Sequence, residues 1–357
     1  MAPSPRLPAE WEPQAGVMLT WPHEDTDWAD QLPQVEAVFL QIAAAVTRDE
    51  ELLCLCRDAA HRRHVEGLFR QQHIDPGRVR FACAPSDDTW ARDHGPLTTL
   101  DDQGAAVVND FRFDGWGGRY PARRDDAITA SLHAQGCFGE APLRRHDLVL
   151  EGGAIETDGR GTLLATRSSL LDRRRNPDLD PAAIEGMLRD TLGLTRCLWL
   201  DHGEISGDDT DAHIDILARF TDPETIVHAS APPGDPDHRA LTAMARQLAG
   251  FRRGNGRPYR LRPLPWPGAH RDADGRRLPA SYANFLITNG SVLLPTYGVA
   301  ADAEAAALIQ DCFPGRRVVP IDCRPLIRQN GSLHCLTMQF PAALPLRPGR
   351  CEEPAAP

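Results

Sequence analysis

Apolar residues recur at helical spacing in six stretches of the chain, and short apolar or β-branched runs lie between these stretches. Residues three or four positions apart share one face of a helix, so this spacing predicts amphipathic helices. The six predicted helices are 33–48, 58–72, 123–135, 181–193, 236–249 and 302–312. The short runs predict strands, including 16–21, 52–56, 79–83, 105–109, 162–165, 214–218, 225–228, 285–288, 291–295 and 333–338.

The predicted strands outnumber the predicted helices and come in groups around each helix. This arrangement favours an α/β fold built from a repeated unit of a few strands and one helix over a doubly wound sheet with strict alternation. No low-complexity linker divides the chain. We therefore expect one domain, 1–345, followed by a disordered tail, 346–357, that includes Cys351.

Composition and charge narrow the class of protein. No apolar run approaches the roughly 18 residues that a membrane span needs, and the Pro-rich start lacks an apolar signal region, so we expect a cytoplasmic protein. The net charge of -11 argues against nucleic acid as a partner and weakly favours a cationic one. Nine irregularly spaced cysteines fit reduced thiols better than a disulfide framework.

The chain contains no lysine, so all 39 of its basic residues are arginine. This absence excludes every mechanism that depends on a lysine amine. Schiff-base and pyridoxal chemistry, the lysine of phosphate-binding loops and Cys-Glu-Lys amidase catalysis are all ruled out.

Five short segments combine reactive side chains with glycine or aromatic neighbours. Their candidate functional residues are Asp93, Glu151, His213 with Asp215, Asn284 and Cys335. Successive gaps are 58, 62, 71 (counted from His213) and 51 residues. Such near-equal spacing suggests that each repeat contributes one residue to a common centre.

His213 and Asp215 lie two positions apart in a predicted strand, so their side chains would face the same side. A carboxylate there could hold a guanidinium group while the imidazole transfers protons. The residues alone leave other interpretations open: a solvated pair on an edge strand, Asp93 as a turn former, and Cys335 as a small buried apolar residue.

A metal centre is the strongest alternative that the residues themselves allow. Asp208, Asp209, Asp211, His213 and Asp215, with His202 nearby, could bind Mg²⁺ or Mn²⁺. Hydrolysis of a guanidino group by two metal ions would then be feasible.

The segments together resemble the agmatine deiminase and bacterial peptidylarginine deiminase family of the pentein superfamily. The matching stretches are 7–13, 21–22, 89–96, 113–118, 150–153, 213–215, 281–284 and 333–335. They occur in order over almost the whole chain, and their combination is highly specific. The resemblance implies a pseudo-symmetric, five-bladed α/β propeller (the pentein fold) with its active site in the central channel.

The resemblance also implies a role for each candidate residue. Cys335 matches the nucleophile, His213 the general acid and base, and Glu151 the acidic residue that orients this histidine. The expected substrate-binding residues are Asp93, Asp215, Asn284, Trp90 and Trp116. No cofactor and no metal ion is implied.

We expect the reaction to convert agmatine and water to N-carbamoylputrescine and ammonia, a step of polyamine synthesis. The sequence departs from the agmatine deiminases at His94, at 119–126 and at 329–332. An arginine-rich loop at 119–126 could favour a substrate with a carboxylate, so arginine or peptidyl-arginine is the alternative. A catalytically silent binding protein and a homodimer are left open. The expected partner is a small cationic guanidino compound, and we expect the protein to bind neither nucleic acid nor a membrane.

Overall fold

The computed structural model of the protein describes residues 5–351, which form sixteen strands in five separate sheets. Four of these sheets have three strands each. They are β4 (Leu97–Leu100), β5 (Ala106–Arg112) and β6 (Leu143–Val149); β7 (Glu156–Thr157), β8 (Thr162–Thr166) and β9 (Arg196–Leu200); β10 (Ala218–Asp222), β11 (Thr225–His228) and β12 (Arg260–Pro263); and β13 (Leu286–Ile287), β14 (Ser291–Thr296) and β15 (Arg317–Asp322). The fifth sheet has the order β16 (Thr337–Pro341), β1 (Gln14–Thr20), β2 (Glu51–Cys56), β3 (Val79–Cys83).

Every three-stranded sheet repeats one pairing pattern. Its first two strands are antiparallel and its second and third are parallel, as in β4-β5-β6. Antiparallel neighbours can be joined by a short turn, whereas parallel neighbours need a long crossover, which a helix usually supplies. Each repeat is therefore a short hairpin followed by a helix and a third strand, which is the unit that the sequence pattern predicts.

Six helices of seven or more residues make these crossovers. They are α1 (Leu32–Val46), α2 (Ala59–Gln71), α5 (Ile128–Ala134), α7 (Pro181–Leu192), α8 (His238–Gly250) and α9 (Ala301–Cys312). All six were predicted, with bounds that differ by only a few residues. Three four-residue helices lie in loops: α3 (Ala91–His94), α4 (Gly115–Gly118) and α6 (Arg167–Leu170).

The first and last strands of the chain close the ring of sheets. Strand β1 pairs with β16 in the antiparallel sense and with β2 in the parallel sense. The sheet that contains both strands thus combines the start and the end of the chain. The expectation of a five-bladed, pseudo-symmetric α/β propeller is confirmed.

A single turn of helix or a tight turn precedes the first strand of each blade. The five candidate segments occupy these turns: Cys335 lies two residues before β16, and Glu151 lies five residues before β7. Because the blades repeat, the turns recur at equivalent places in the fold. The spacing of about 60 residues in the sequence therefore reflects one blade per interval.

Two of the predicted strands are wrong at the site. His213 caps a short 3-10 helix, Ile214–Ile216, and strand β10 begins only at Ala218. Cys335 lies in the 3-10 helix His334–Leu336, which ends where β16 begins. The apolar residues of both segments are buried on every side, so their pattern could not distinguish a strand from a turn of helix.

The tail also departs from expectation, because residues 346–351 pack against the fold. Gly349 donates its N–H to the carbonyl of Phe81, and Cys83 donates its N–H to the carbonyl of Arg350. Cys83 and Cys351 form a disulfide, which is an exception to the expectation of reduced thiols rather than a disulfide framework. Two cysteines 268 residues apart show no spacing that signals a pair. The rest of the expected tail, 352–357, lies outside the described residues.

None of the helices between residues 5 and 351 is long and apolar enough to cross a membrane.

Candidate active site

One cavity brings together most of the residues that the sequence singled out. Its lining includes Cys335 and four of the predicted substrate-binding residues: Asp93, Asp215, Trp90 and Trp116. We call the two aspartates, Asp93 and Asp215, the clamp residues, because they are expected to hold the guanidinium group between them. Asn284 contacts two of these side chains from behind. Four of the five turns that precede a blade thus contribute directly to the cavity or to its wall.

Cys335 is held in the cavity by Asn284. The Asn284 amide donates to the Cys335 sulfur, with 3.3 Å between Nδ2 and Sγ, and its carbonyl oxygen accepts from the backbone N–H of His334 at 2.9 Å. Burial raises the pKa of the Cys335 thiol well above its ordinary value, and the charges of Asp215 and Asp93 raise it further. The thiol is therefore protonated while no cation occupies the cavity.

Asp215 is the anionic carboxylate of the cavity. Its Oδ2 lies 2.9 Å from Nδ1 of His334, 3.1 Å from Nδ2 of Asn284 and 3.6 Å from Sγ of Cys335. Burial raises the pKa of Asp215, but the hydrogen bond and charge of His334, together with the charges of His213 and Arg219, outweigh burial and leave the pKa below its usual value. Its Oδ1 is buried without a hydrogen-bond partner, so one oxygen remains available to a ligand.

Asp93 faces the same cavity from helix α3. Its Oδ2 accepts the indole N–H of Trp116 at 3.0 Å, and its Oδ1 accepts the backbone N–H of Gly153 at 2.9 Å. Burial raises the pKa of Asp93 well above its ordinary value, and the charges of Asp215 and Glu151 act in the same direction. Asp93 is consequently harder to ionise than an ordinary carboxyl group, and a cationic ligand would favour its ionised form.

His213 lies beside Asp93, with 3.7 Å between Nδ1 and Oδ1. Burial lowers the pKa of His213 to about 3, so the ring is neutral at physiological pH and can accept a proton. Its Nε2 has no hydrogen-bond partner within the described structure. A neutral, buried imidazole next to the thiol cavity is suited to general base and then general acid catalysis.

Gly153 allows these groups to come together. A Cβ atom at this position would lie 2.6 Å from Nδ1 of His213 and 2.8 Å from Oδ1 of Asp93. Both distances are far below van der Waals contact, so any larger residue would displace the imidazole or the carboxylate. The Glu-Gly-Gly segment is therefore explained by close approach of the backbone to the site.

Glu151 is placed differently from the expectation that it orients His213. Its Oε1 accepts from Nε of Arg175 at 2.6 Å, and both side chains are almost fully buried. Burial raises the pKa of Glu151, although Arg175 opposes this effect. No hydrogen bond joins Glu151 to His213 between residues 5 and 351, and Oε2 of Glu151 remains without a partner. An orienting role therefore stays a prediction.

Trp90 forms a wall of the cavity and is fixed on both sides. Its indole N–H donates to Oδ2 of Asp88 at 2.9 Å. A Cβ atom at Gly331 would come within 2.2 Å of the Trp90 ring, so the turn before Cys335 packs directly on this tryptophan. Residues 329–332, where this sequence departs from the agmatine deiminases, therefore lie next to the cavity.

The mouth of the cavity is acidic. None of the arginines between residues 5 and 351 lines it, whereas four carboxylates besides the two clamp residues do: Asp27, Asp88, Asp208 and Asp209. Tyr120 and Asn330 both donate to Oδ2 of Asp209 at 2.8 Å. Arg119 is bound to the carbonyl oxygen of Asp209 and to the Asp211 carboxylate.

The acidic residues of the metal alternative serve other purposes. Asp211 pairs with Arg119, Arg174 and Arg175, while Asp208 accepts from the N–H groups of Thr210 and Ala212. Across residues 5–351, no group of three or more His, Cys, Asp or Glu side chains has an arrangement that could hold a metal ion.

Sequence reasoning missed several buried groups behind the site. Arg219 and His334 each pair with Glu10, and Arg175 pairs with Glu151. Two signals could have pointed to the first group. Glu10 lies in 7–13, a stretch that matches the family although the resemblance implies no role for its residues. His334 directly precedes Cys335.

Comparisons with known proteins agree with this geometry. The family model of the Porphyromonas-type peptidyl-arginine deiminases matches residues 6–341. An agmatine deiminase of Pseudomonas aeruginosa (strain LESB58) is 34% identical, over 94% of this chain and 95% of that protein.

Two solved structures are also similar. A Porphyromonas gingivalis protein described as a "putative arginine deiminase" superposes with a TM-score of 0.89 at 48% identity, covering 96% of this chain and 100% of that one. A cysteine-to-serine variant of the C. jejuni agmatine deiminase, solved with substrate bound, has a TM-score of 0.86 at 30% identity, covering 94% and 96%. The chain therefore belongs to the Porphyromonas-type peptidyl-arginine deiminase family.

Proposed function

We propose that this protein hydrolyses agmatine to N-carbamoylputrescine and ammonia through a covalent thiouronium intermediate on Cys335. One observation carries the proposal: a buried thiol lies 3.6 Å from the carboxylate of Asp215, in a cavity that a second carboxyl group, Asp93, also lines. The described lining of this cavity contains no arginine. Two carboxyl groups and a thiol in such a cavity suit a flat cation whose central carbon is attacked.

Binding of the guanidinium group would prepare both the clamp and the nucleophile. The unpartnered Oδ1 of Asp215 and the carboxyl group of Asp93 offer acceptors for its N–H groups. Its positive charge offsets the two carboxylates that raise the pKa of the Cys335 thiol, so the thiol ionises more readily when substrate is bound. Activation is thereby restricted to the occupied site.

The chemical steps then need one proton shuttle. His213, neutral in the free protein, takes the thiol proton, and the Cys335 sulfur adds to the guanidinium carbon. His213 returns this proton to the departing nitrogen, which leaves as ammonia while the thiouronium forms. The imidazole next takes a proton from water, the hydroxide attacks the same carbon, and the bond to sulfur breaks to release the ureido product. A positioned acid and base of this kind contributes about 10²- to 10⁴-fold to the rate.

The mouth of the cavity supports agmatine over arginine. Agmatine carries an ammonium group and no carboxylate, whereas arginine would bring a carboxylate next to Asp27 and Asp209. Arg119, from the loop that could have bound such a carboxylate, is instead occupied by Asp209 and Asp211. Like charges in a shared cavity disfavour binding, so we rank arginine and peptidyl-arginine second.

The reaction as written uses no cofactor and no metal ion. We further propose that the protein acts in the cytoplasm on a small cationic guanidino compound, without nucleic acid or membrane partners. Its net charge of -11 supports a cationic ligand over a polyanion.

A colorimetric assay for ureido products tests the proposal on agmatine, arginine and peptides with a C-terminal arginine. We expect agmatine to give the highest kcat/KM, with activity unchanged after exhaustive chelation. No product from agmatine would refute the proposed substrate, and activity lost on chelation and restored by Mg²⁺ or Mn²⁺ would favour the metal alternative.

A further inference from the structure

A buried chain of three side chains runs from the N-terminal segment to the cavity. Nε2 of His334 lies 2.8 Å from Oε2 of Glu10, and Nδ1 of the same ring lies 2.9 Å from Oδ2 of Asp215. All three side chains are at least nine-tenths buried. We propose that Glu10 and His334 are positioning residues that keep Asp215 ionised and orient its free oxygen toward the substrate. This inference rests on the proposed deimination.

Glu10 is fixed independently of His334. Its Oε2 also accepts from Arg219 at 2.7 Å, and its Oε1 accepts the backbone N–H of Ile287 at 2.7 Å. Burial raises the pKa of Glu10, but the charges of Arg219, His334 and Arg92 and the hydrogen bond to His334 together lower it below its ordinary value. Glu10 is therefore a fixed carboxylate that binds Nε2 of His334, the ring nitrogen that faces away from Asp215.

The contacts of His334 fit a proton on the nitrogen that faces Asp215. A ring with one proton could donate to only one of its two carboxylate neighbours, so two contacts below 3 Å fit the doubly protonated form. Burial and the charges of Arg219 and Arg92 lower the pKa of His334 below its ordinary value, although Glu10 and Asp215 act in the opposite direction. Glu10 therefore supports the protonated ring against these effects, and its loss would lower the pKa of His334 further.

The two clamp carboxyl groups show what this pair does. Asp215, with the imidazole as its partner, has a pKa below the ordinary value; Asp93, with only neutral donors, has a pKa well above it. The charged or titratable groups that face Asp215 are His334, His213, Cys335, Asp93, Arg92 and Arg219. Of these six, only His334 forms an ion pair with Asp215.

The same contact sets the orientation of Asp215. His334 and Asn284 both bind Oδ2, which leaves Oδ1 as the oxygen without a partner. If His334 were absent, Asp215 would lose its ion-pair partner and would become harder to ionise, as Asp93 is. At low pH, substrate would then have to displace a proton from each of two carboxyl groups instead of one.

The pH dependence of kcat/KM tests the inference in Glu10→Gln and His334→Gln. For the native protein we expect log kcat/KM to fall on the acid side with a slope of about one, and with a slope approaching about two in both variants. Activity should recover at high pH. Glu12→Gln is the matched control, because Glu12 lies in the same segment but pairs with Arg6 and the backbone of Ala9.

A second readout separates this inference from the proposed substrate. The rate at which 2-chloroacetamidine alkylates Cys335 needs the anionic clamp but not turnover of agmatine, so it follows Asp215 even if agmatine proves inert. We expect labelling of the variants to slow by about a further tenfold, beyond the decline of the native protein, for each pH unit below the new pKa of Asp215. The inference would be overturned if both variants showed the native slope of log kcat/KM on the acid side and the native pH dependence of labelling. If Glu10→Gln does not fold, His334→Gln decides, because it keeps the Glu10–Arg219 pair.

Discussion

Trp116 donates its indole N–H to Asp93 across 3.0 Å from a left-handed backbone conformation, with φ at 59°. A bulky side chain there costs about 1–3 kcal/mol unless its surroundings enforce it. Three neighbouring glycines, Gly115, Gly117 and Gly118, also have positive φ and make the tight turn possible. The strain is thus concentrated in the segment that fixes one half of the guanidinium clamp.

Trp116→Phe should weaken substrate binding while the fold persists. The variant loses the hydrogen bond that lowers the pKa of Asp93, so this carboxyl group becomes harder to ionise. A hydrogen bond to a charged group is worth about 1.5–3 kcal/mol, which corresponds to a loss of about tenfold or more in kcat/KM. Steady-state kinetics measure this loss.

The control is Trp199→Phe. Trp199 lies in strand β9, does not line the cavity, and donates its indole N–H to Glu185 of helix α7. This variant should leave kcat/KM within about twofold of the native value. Equal losses in the two variants would contradict a specific role for the Trp116–Asp93 contact.

The blades and the convergence of the site could be predicted from sequence, because both follow from periodicity. Apolar spacing located the six crossover helices, and the interval between candidate residues reflected one turn per blade. The local conformations at His213 and Cys335 could not be predicted. Their apolar neighbours are buried on all sides, and such runs carry no helix or strand period.

The partners of the site residues were equally hidden. The link from Glu10 to His334 joins positions 324 residues apart, and Arg175 reaches Glu151 from a loop without any distinctive motif. The disulfide between Cys83 and Cys351 also joins distant segments. Contacts of this kind depend on how the blades close into a ring, which local pattern does not encode.

Gly153→Ala should strongly reduce activity while the protein still folds. The added methyl group would overlap His213 and Asp93, so the shuttle and the clamp could not both keep their positions. We expect kcat/KM to fall by about 10²-fold or more, as is usual when reacting groups move by about 1 Å.

The matched control is Gly186→Ala in helix α7, where a Cβ atom meets nothing within 4 Å. This change should preserve activity and stabilise the protein by about 0.5–1 kcal/mol. Full activity in Gly153→Ala would show that the crowding around His213 is not required for function.

Arg175→Gln should destabilise the protein, because it leaves Glu151 as a buried carboxylate without a cation. Removing one partner of a buried pair costs about 3–5 kcal/mol, and urea unfolding followed by circular dichroism measures it. The change also removes the effect that lowers the pKa of Glu151.

Arg260→Gln serves as the comparison, since its pair with Asp222 is largely exposed and spans 3.5 Å. This variant should unfold at the native urea concentration. A native midpoint for Arg175→Gln would mean that Glu151 is already neutral in the folded protein.

The thiol of Cys335 should respond to the charge of its neighbours in a defined direction. Asp215 and Asp93 raise its pKa, so Asp215→Asn and Asp93→Asn should each lower it. Rates of alkylation by neutral iodoacetamide, followed against pH by peptide mass spectrometry, give this pKa. The midpoint for native Cys335 should lie above the ordinary thiol value of about 8.5 and fall in both variants.

Cys197 provides an internal control, because burial raises its pKa to about 11 and neither aspartate is among the causes. Its profile should not change between variants. A native Cys335 midpoint at or below 8.5, by the same ordinary reference, would contradict protonation of the thiol in the free protein.

Covalent capture of the substrate carbon by Cys335 is the central claim, and peptide mass spectrometry of acid-quenched turnover mixtures tests it most directly. The mixtures contain either native protein, quenched within milliseconds, or His213→Ala. Both are needed because His213→Ala should slow the formation of the adduct as well as its hydrolysis. We predict that the peptide containing Cys335 gains the mass of agmatine less that of ammonia, and that no other cysteine does. Turnover without an adduct at Cys335, or undiminished turnover by Cys335→Ser, would contradict this account.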